Sequence, residues 1–532
     1  MQQSLPINLE LNPQFAYALH VMENTNKNVF ITGKAGTGKS TLLQYFRLNT
    51  KKNIVVLAPT GVAAVNVKGQ TIHSFFNFKP DITPNTAKDV KVKDKKVYKN
   101  LDAIVIDEIS MVRADLLDSI DIFLRKYGKK KKEPFGGIQM IFIGDLYQLP
   151  PVVTYREKEL FSNYYKSPYF FNAKVFETSQ LKLSENKNYA FDMELVELEK
   201  IYRQKDEEFI SLLNAIRNNT VTDEQLEKLN QRYNPSFKEP DNEFYIYLTS
   251  TNELADAINN EKLSEIKGDV LCYRGEIEGQ FHSKDLPTSE LLEFKTGAQV
   301  MLLNNDTLGR WINGTLGVVK GVEKSYDSPD VIIIELADKT CVEVTPYKWE
   351  MFKFFFDEKE NTIFSEPVGS FLQYPLRLAW AVTIHKSQGK TFDRVIIDIG
   401  RGTFSHGQMY VALSRCTTFD GIVLKQRIQK KHIMMDYKVV NFVTKFQYAQ
   451  SEKKCSTNDK VCILEEAIKS KKRLEILYLK TKDEKSRRIV LPIYVGSLEY
   501  NGKSFLGLKA FCTKRMEERT FRVDRILEIN EV

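Results

Sequence analysis

The stretch Asn28-Val-Phe-Ile-Thr-Gly33-Lys-Ala-Gly-Thr-Gly38-Lys39-Ser40 decides the fold. Asn28 to Thr32 is a short apolar run that predicts a buried strand, and Ser40 to Leu48 predicts the helix after it. Between them stands the spacing G-x-x-x-x-G-K-[ST]. Its glycines let backbone N–H groups curl around phosphate oxygens, and the helix N-terminus adds positive potential. Lys39 is expected to reach the β- and γ-phosphates of a nucleotide, and the Ser40 hydroxyl to hold Mg²⁺. The nucleotide-binding candidates are therefore Gly33, Ala35, Gly36, Thr37, Gly38, Lys39, Ser40 and Thr41.

Working outward, Asn53 to Ala58, Ala103 to Asp107 and Met140 to Gly144 are further apolar runs separated by helical stretches. Continuous runs of this kind predict a parallel sheet covered on both faces. Asp107-Glu108 ends one of them. Asp107 is expected to hold Mg²⁺ through water, and Glu108 to orient and deprotonate an attacking water. Gln148, in Gly144-Asp-Leu-Tyr-Gln148-Leu-Pro-Pro151, has two readings. It either senses the γ-phosphate or belongs to a turn made by Gly144 and the proline pair. Phosphoryl transfer also needs positive charge brought in from a neighbouring domain. Arg203 and Arg415, in the second half of the chain, are the candidates.

Tyr245 to Thr249 and Arg394 to Ile399 predict a second α/β unit. Within it, about 299 to 373, short strand runs such as Val331 to Glu335, Cys341 to Val344 and Phe352 to Phe356 predict a small inserted β-barrel. The lysine-rich stretches Ala87 to Asn100 and Lys129 to Lys132 predict exposed loops. About 446 to 460 is polar and predicts a linker. The last module, 461 to 532, opens with a helix and continues in β-rich runs; it holds 16 basic and 11 acidic residues, so five of the net charge of +8 lie there. That charge is compatible with a polyanionic partner and does not demand one. No apolar run approaches the roughly 20 residues that cross a bilayer, so no membrane partner is expected. Met1 to Asn12 lacks the pattern of a secretory leader, and the six cysteines form no Cys-x-x-Cys pair. A cytoplasmic (nucleoid-associated) protein with reduced thiols is expected.

Taken in order over about 8 to 425, the motifs resemble superfamily-one helicases of the Pif type: LNPQFAYAL, GKAGTGKS, APTGVAA, GQTIHSFF, IDEISMV, PFGGIQMIFIGDLYQLPPV, IYRQKDEEFI, WAVTIHKSQGKTFD and GQMYVALSRCTT. The resemblance implies two tandem RecA-like P-loop domains (1–180, then 181–298 and 374–445), with the small barrel at 299–373 inserted in the second and a wedge at about 61–76 in the first. It implies ATP at the domain interface, with Gln14 reading adenine and Gly389 joining the nucleotide set. It makes Lys39, Glu108, Gln148, Arg203 and Arg415 the catalytic set. It implies a monomer that translocates 5′→3′ on single-stranded DNA and opens forked or structured DNA in genome maintenance: repair, recombination, and the family's telomere and G-quadruplex roles. DNA contacts carry over to Pro59, Thr60, Gly61, His73, Thr383, His385, Lys386, Ser387 and Gln388; hydroxyls, amides and lysines bind phosphates without reading sequence, and ring faces stack on bases. Asn313-Gly314 also resembles a family element whose role stays unassigned. An ATP-dependent switch and an RNA motor are the alternatives; phosphate contacts do not separate DNA from RNA.

The last module, 461–532, resembles a WYL domain, best at Leu508 to Cys512 and Glu518 to Ile526, with Leu506-Gly507-Leu508 near where the name-giving triplet belongs. The resemblance implies a β-rich barrel binding nucleic acid or a small ligand through Arg487, Arg519, Arg522 and Arg525. The alternative is that these arginines are solvated or ion-paired.

Overall fold

The computed structural model describes residues 12–92, 94–180, 193–240, 243–281 and 286–532. Most of the expectation on Met1 to Asn12 lies outside them. The chain divides into two compact units: one of 1–175, 196–217 and 221–435, the other of 176–195, 218–220 and 436–532.

In the first unit the Asn28–Gly33 strand sits inside a six-stranded sheet. Its neighbours are Gln139–Ile143, paired in parallel, and Met193–Leu198; beyond the former lie Ala103–Ile106, Ile54–Ala58 and Gln70–Thr71. The observed strands match the apolar runs to within a residue or two, because burial on both faces requires continuous apolar sequence. The Pro13–Asn24 and Lys39–Asn49 helices cover one face through Phe15, Val21, Leu42 and Phe46. The second α/β lobe is a four-stranded parallel sheet in the order Ala381–Thr383, Ile246–Thr249, Val395–Asp398, Ile422–Leu424. One apolar cluster joins the lobes: Ala35 and Leu149 of the first pack with Phe209, Met409 and Tyr410 of the second.

The insertion is larger than 299–373. Five antiparallel strands run Cys341–Val344, Val331–Leu336, Leu316–Glu323, Gln299–Leu302, Leu376–Leu378, and a separate Leu271–Arg274 with Leu291–Phe294 pair packs into the same core through Leu292 and Phe294. The aromatic run Phe352 to Phe356 is not a short strand of that sheet. It belongs to an 11-residue strand, Tyr347–Asp357, paired with the 12-residue Thr362–Gln373 in one long hairpin. The Asp357 carboxylate turns the chain by accepting from Lys359 and Glu360 N–H groups at 2.8 and 3.3 Å.

One of the two loop expectations needs correction. Lys129 to Lys132 is exposed, but the Ala87 to Asn100 stretch holds a helix, Lys96–Asn100, that buries Val97 and Tyr98. Tyr98 joins Phe75, Phe76, Phe78, Phe123 and Tyr127 in an aromatic cluster, and Phe354 of the hairpin meets Phe75 edge-on at 6.0 Å. Tyr98 is the single ring of that polar stretch, so no local periodicity betrays this.

In the second unit, 446–460 is helical rather than a linker. The Tyr437–Lys454 helix runs to within two residues of the Thr457–Ser470 helix, which opens on a Ser456–Asp459 capping box. Caps are polar by necessity, so composition alone reads as a loop. Buried Lys460 donates to Ser451 Oγ at 2.8 Å, and Ser451 donates to Leu527 O at 2.8 Å. Five antiparallel strands follow in the order Glu517–Arg522, Lys503–Cys512, Lys485–Tyr500, Leu474–Leu479, Ile526–Glu531. Among the described residues no helix is long and apolar enough to cross a membrane.

Candidate active site

The phosphate loop is held in shape from both lobes. Gly36 and Gly38 have φ of +79° and +84°, which only glycine adopts without strain. A Cβ on Gly36 would stand 2.5 Å from Cβ of Arg203, so the loop also needs glycine to let that arginine approach. The Tyr202 N–H donates to Gly36 O at 2.9 Å, and the Ala35 N–H donates to the Tyr410 hydroxyl at 2.9 Å. Lys39 Nζ donates to Gly33 O and Lys34 O at 2.8 and 3.0 Å. Ser40 is exposed and Thr41 half-buried at the helix start, and Thr37 Oγ1 donates to Lys34 O at 3.0 Å. Gln14 is half-buried in the first turn of Pro13–Asn24, and the next residue, Phe15, lies against Gly38 beside the Tyr202 ring. That places an aromatic pair next to the expected adenine position.

Asp107 and Glu108 sit at the end of the Ala103–Ile106 strand. Glu108 has φ of +51°, an uncommon backbone for a non-glycine residue and one that concentrates at functional sites. Burial, then the neighbouring Glu108, pushes the Asp107 carboxyl up to about 7. Burial also raises Glu108, against the pull of Lys39 and Arg415. A hydroxyl and carboxylates of this kind are the hard oxygen donors that Mg²⁺ takes.

The two arginines meet. Arg203 Nη1 donates to Ser414 O at 3.1 Å, and Arg415 Nη2 donates to Ser414 Oγ at 3.2 Å. Buried Arg415 also donates through Nε to Val411 O and through Nη1 to Lys390 O. Burial, then the Arg203 charge, pulls it down to about 9. Gln148 is buried, with Nε2 donating to Asp145 Oδ2 at 3.3 Å. Its carbonyl lies so close to Gly407 (φ +77°) that a Cβ there would stand 2.2 Å away. The loop is a tight turn, with the Gln148 N–H donating to Asp145 O at 3.0 Å, and it carries a buried amide beside the charged cluster.

Sequence reasoning missed the acid and base that anchor this cluster. Asp145 and Arg217, 0% and 4% exposed, form an ion pair at 3.3 Å, and the guanidinium lies 3.7 Å from the Tyr147 ring centre. Asp145 raises Lys39 by its charge and Arg217 lowers it, though burial of Lys39 dominates. Asp145 stood in a quoted motif; Arg217 lies 72 residues away and has no local signal. Gly389 is exposed, with φ of +76° and open space where a Cβ would stand.

Pro59, Thr60, Gly61 and His73 line one cavity of about 1260 Å³ together with Lys353, Phe354 and Phe355 of the long hairpin. Thr383 to Gln388 form a tight turn elsewhere on the second lobe. Thr383 and Ser387 are buried, and Ser387 Oγ donates to Ile384 O at 2.8 Å, so these two shape the turn rather than face a strand. Exposed Lys386 and half-buried His385 and Gln388 remain available. His385 stacks on Phe404, and burial lowers its pKa, favouring the neutral ring. In the second unit Arg487 pairs with Glu475, Arg519 with Glu517 and Arg522 with Asp524.

Two family models match the chain: PIF1-like helicase over residues 14–227 and WYL domain over 460–531. A protein of Bdellovibrio bacteriovorus called ATP-dependent DNA helicase Pif1 is 32% identical over 453 residues, covering 82% of this chain and 93% of the relative. The structure of Bacteroides Pif1 with ADP-AlF4 superposes with a TM-score of 0.72 at 36% identity, covering 82% of this chain and 97% of that one. The same protein bound to single-stranded DNA gives 0.56 at 36% identity, covering 82% and 96%.

Removing one partner of a buried ion pair costs about 3–5 kcal/mol, because the other charge is stranded. Arg217→Met should therefore lower the unfolding free energy of the full chain by that much, read as a lower urea midpoint, and Arg217→Lys should recover part of it. An unchanged midpoint for Arg217→Met would mean Asp145 is solvated in solution.

Proposed function

The chain belongs to the PIF1-like helicase family and is an ATP-dependent DNA helicase, and we propose that it translocates 5′→3′ on single-stranded DNA as a monomer. The observation that carries this reading is Arg415 of the second lobe acting on Glu108 of the first, with Arg203 beside it at Ser414 and against Gly36 of the phosphate loop. Positive charge supplied across a lobe interface acts only when the lobes are closed, so ATP turnover is tied to their relative motion. Lys39 and the loop amides hold the phosphates. Glu108 takes the proton of the attacking water; its raised pKa suits a base. Gln148 reports the γ-phosphate through its amide. Mg²⁺, held by Ser40 and Asp107, would neutralise phosphate charge. Pro59, Thr60, Gly61 and His73, with His385, Lys386 and Gln388, grip the strand on either side. Separating one base-pair step costs on average about 1.4 kcal/mol, and the 61–76 segment, braced by its aromatic cluster, serves as the wedge. We assign the C-terminal module an auxiliary strand contact through Arg487, Arg519, Arg522 and Arg525; its net positive charge supports this, while three existing ion pairs make each contact an exchange of partners.

Duplexes with a 5′ or a 3′ single-stranded tail test the direction. The protein should open only the 5′-tailed duplex, Lys39→Ala should open neither, and replacing 61–76 with a short linker should abolish opening; unchanged opening would exclude that segment as the wedge. Opening of the 3′-tailed duplex alone would reverse the polarity; stimulation of ATP hydrolysis with no opening of either would favour a switch.

The Asp107 carboxyl binds Mg²⁺ only after losing its proton. With its pKa raised to about 7, the Mg²⁺ concentration for half-maximal ATP turnover should rise roughly tenfold per pH unit below 7 and level off above it. A flat profile from pH 6 to 8 would place the metal elsewhere.

The C-terminal contact is read from salt dependence. Each strand phosphate neutralised contributes about 0.7 to the log–log slope. Arg522→Ala with Arg525→Ala should flatten it by about 1.4, and an unchanged slope would leave these arginines a purely structural role.

A further inference from the structure

Lys390 ends the turn that follows the Ala381–Thr383 strand, and it is tied at both ends. Its backbone carbonyl accepts from Arg415 Nη1 at 3.2 Å. Its side chain reaches the loop between the Gln299–Leu302 and Leu316–Glu323 strands, where Nζ donates to Oδ1 of Asn313 at 2.5 Å. The aliphatic stem packs along Gly314: a Cβ on that glycine would stand 3.6 Å from both Cβ and Cγ of Lys390. Gly314 has φ of +104°, a backbone that only glycine adopts readily, so the Asn313-Gly314 pair has a physical reason to be what it is.

The loop that receives Lys390 is stiff. Buried Trp311 donates through Nε1 to Asn304 Oδ1 at 3.1 Å, Arg310 and Asp306 form an ion pair at 2.9 Å, and the Asn313 N–H donates to Asn305 Oδ1 at 2.8 Å. Asn313 then continues across to the first lobe, where Nδ2 donates to Asn66 Oδ1 at 3.4 Å. Asn66 is the last residue of the Gly61–Asn66 helix, whose opening residues Gly61 and Val62 line the 1260 Å³ cavity. An unbroken chain of contacts thus runs from the cavity wall through Asn66, Asn313 and Lys390 to the Arg415 guanidinium.

We propose that Lys390 is a positioning residue for ATP hydrolysis, which sets Arg415 according to whether a single strand occupies the cavity. The inference rests on that cavity being the strand site. A strand that presses on the Gly61–Asn66 helix displaces Asn66, the stiff loop passes the shift to Lys390, and the Lys390 carbonyl moves the guanidinium it holds. No step of this needs Lys390 to touch either DNA or nucleotide.

The test compares ATP hydrolysis with and without a thymidine oligonucleotide, alongside the affinity of that oligonucleotide and its salt slope. Lys390→Met keeps the stem that packs on Gly314 and removes the hydrogen bond to Asn313. In this variant the DNA-stimulated kcat should fall at least about fivefold, with KM for ATP and oligonucleotide affinity unchanged, and Lys390→Arg should restore part of the stimulation. Asn313→Ala should lose the same stimulation while its DNA-free rate stays at the parent value. Full stimulation in both Lys390→Met and Asn313→Ala would overturn the proposal. So would a weakened affinity with a salt slope lowered by about 0.7, which would make Lys390 a direct phosphate contact. A parent protein that binds the oligonucleotide with no stimulation at all would overturn the reading of the cavity instead.

Discussion

Unhydrated charge between the two lobes constrains everything around it. Asp145, Arg217 and Arg415 are buried, and Lys39, Glu108 and Arg203 stand half-buried beside them. A single charge in such a place costs several kcal/mol, so each is tolerable only because of another. The Asp145–Arg217 pair fixes the loop that carries Gln148. Lys39 feels Asp145, Glu108 and Asp107 together. The arginines are the exception to mutual compensation: Arg203 and Arg415 share Ser414 and repel one another, and Arg415 falls to about 9 in consequence of burial and that repulsion. Two cations drawn to one turn are stabilised by an anion set between them. A nucleotide polyphosphate on the loop opposite is of the right charge to draw the lobes together, which makes closure a property of the binding reaction rather than an added step.

The apolar part of the interface agrees with this. Ala35 and Leu149 meet Met409 and Tyr410 in one cluster, and the Tyr410 hydroxyl accepts from the Ala35 N–H. The phosphate loop is therefore partly shaped by the lobe that also delivers Arg415, since Tyr410 and Arg415 lie on and just after the same short helix, Gln408–Leu413. Gly407, at its N-cap, is so close to the Gln148 carbonyl that no side chain fits. The Gln148 loop, the phosphate loop and Arg415 are therefore all tied to one short helix. The cavity at Pro59, Thr60, Gly61 and His73 is built on a different principle: a long hairpin from the second lobe's insertion lies against an aromatic cluster of the first, and the hairpin lines the cavity with Lys353, Phe354 and Phe355.

What could be read from sequence follows this division. The strand–loop–helix around Gly33 to Ser40 was legible because covalent neighbours do the chemistry, and the core strands were legible because two-sided burial demands continuous apolar runs. Asp145–Arg217, 72 residues apart, and Lys390–Asn313, 77 apart, were not, since pairing across a fold leaves no trace in local pattern. The same limit hid the hairpin: Phe352 to Phe356 reads alike whether it closes a small sheet or extends an arm. Composition misled in the opposite sense at 446–460, where capping residues and an exposed helix face gave a helical segment the look of a linker. Ser387 shows a third limit. Its motif marks it for a strand, yet its hydroxyl is spent on Ile384 O, so motif membership identified the turn and not the atoms that face outward.

The second unit carries a surplus of five positive charges on 461–532 but does not gather them into one cluster through the four arginines named for it. Arg487 is committed to Glu475 and Glu528, Arg519 to Glu517 and Arg522 to Asp524, all near the surface, where an ion pair is worth about 1 kcal/mol or less. Such pairs are cheap to break, and a phosphate can replace a carboxylate with little net gain. A strand held this way is held by the overall field more than by any fixed geometry. Binding of that kind is weak per contact, sensitive to salt and indifferent to sequence. Those are the properties of a site that keeps a moving strand nearby without stopping it, whereas a specific ligand would require arginines already aimed at a common point.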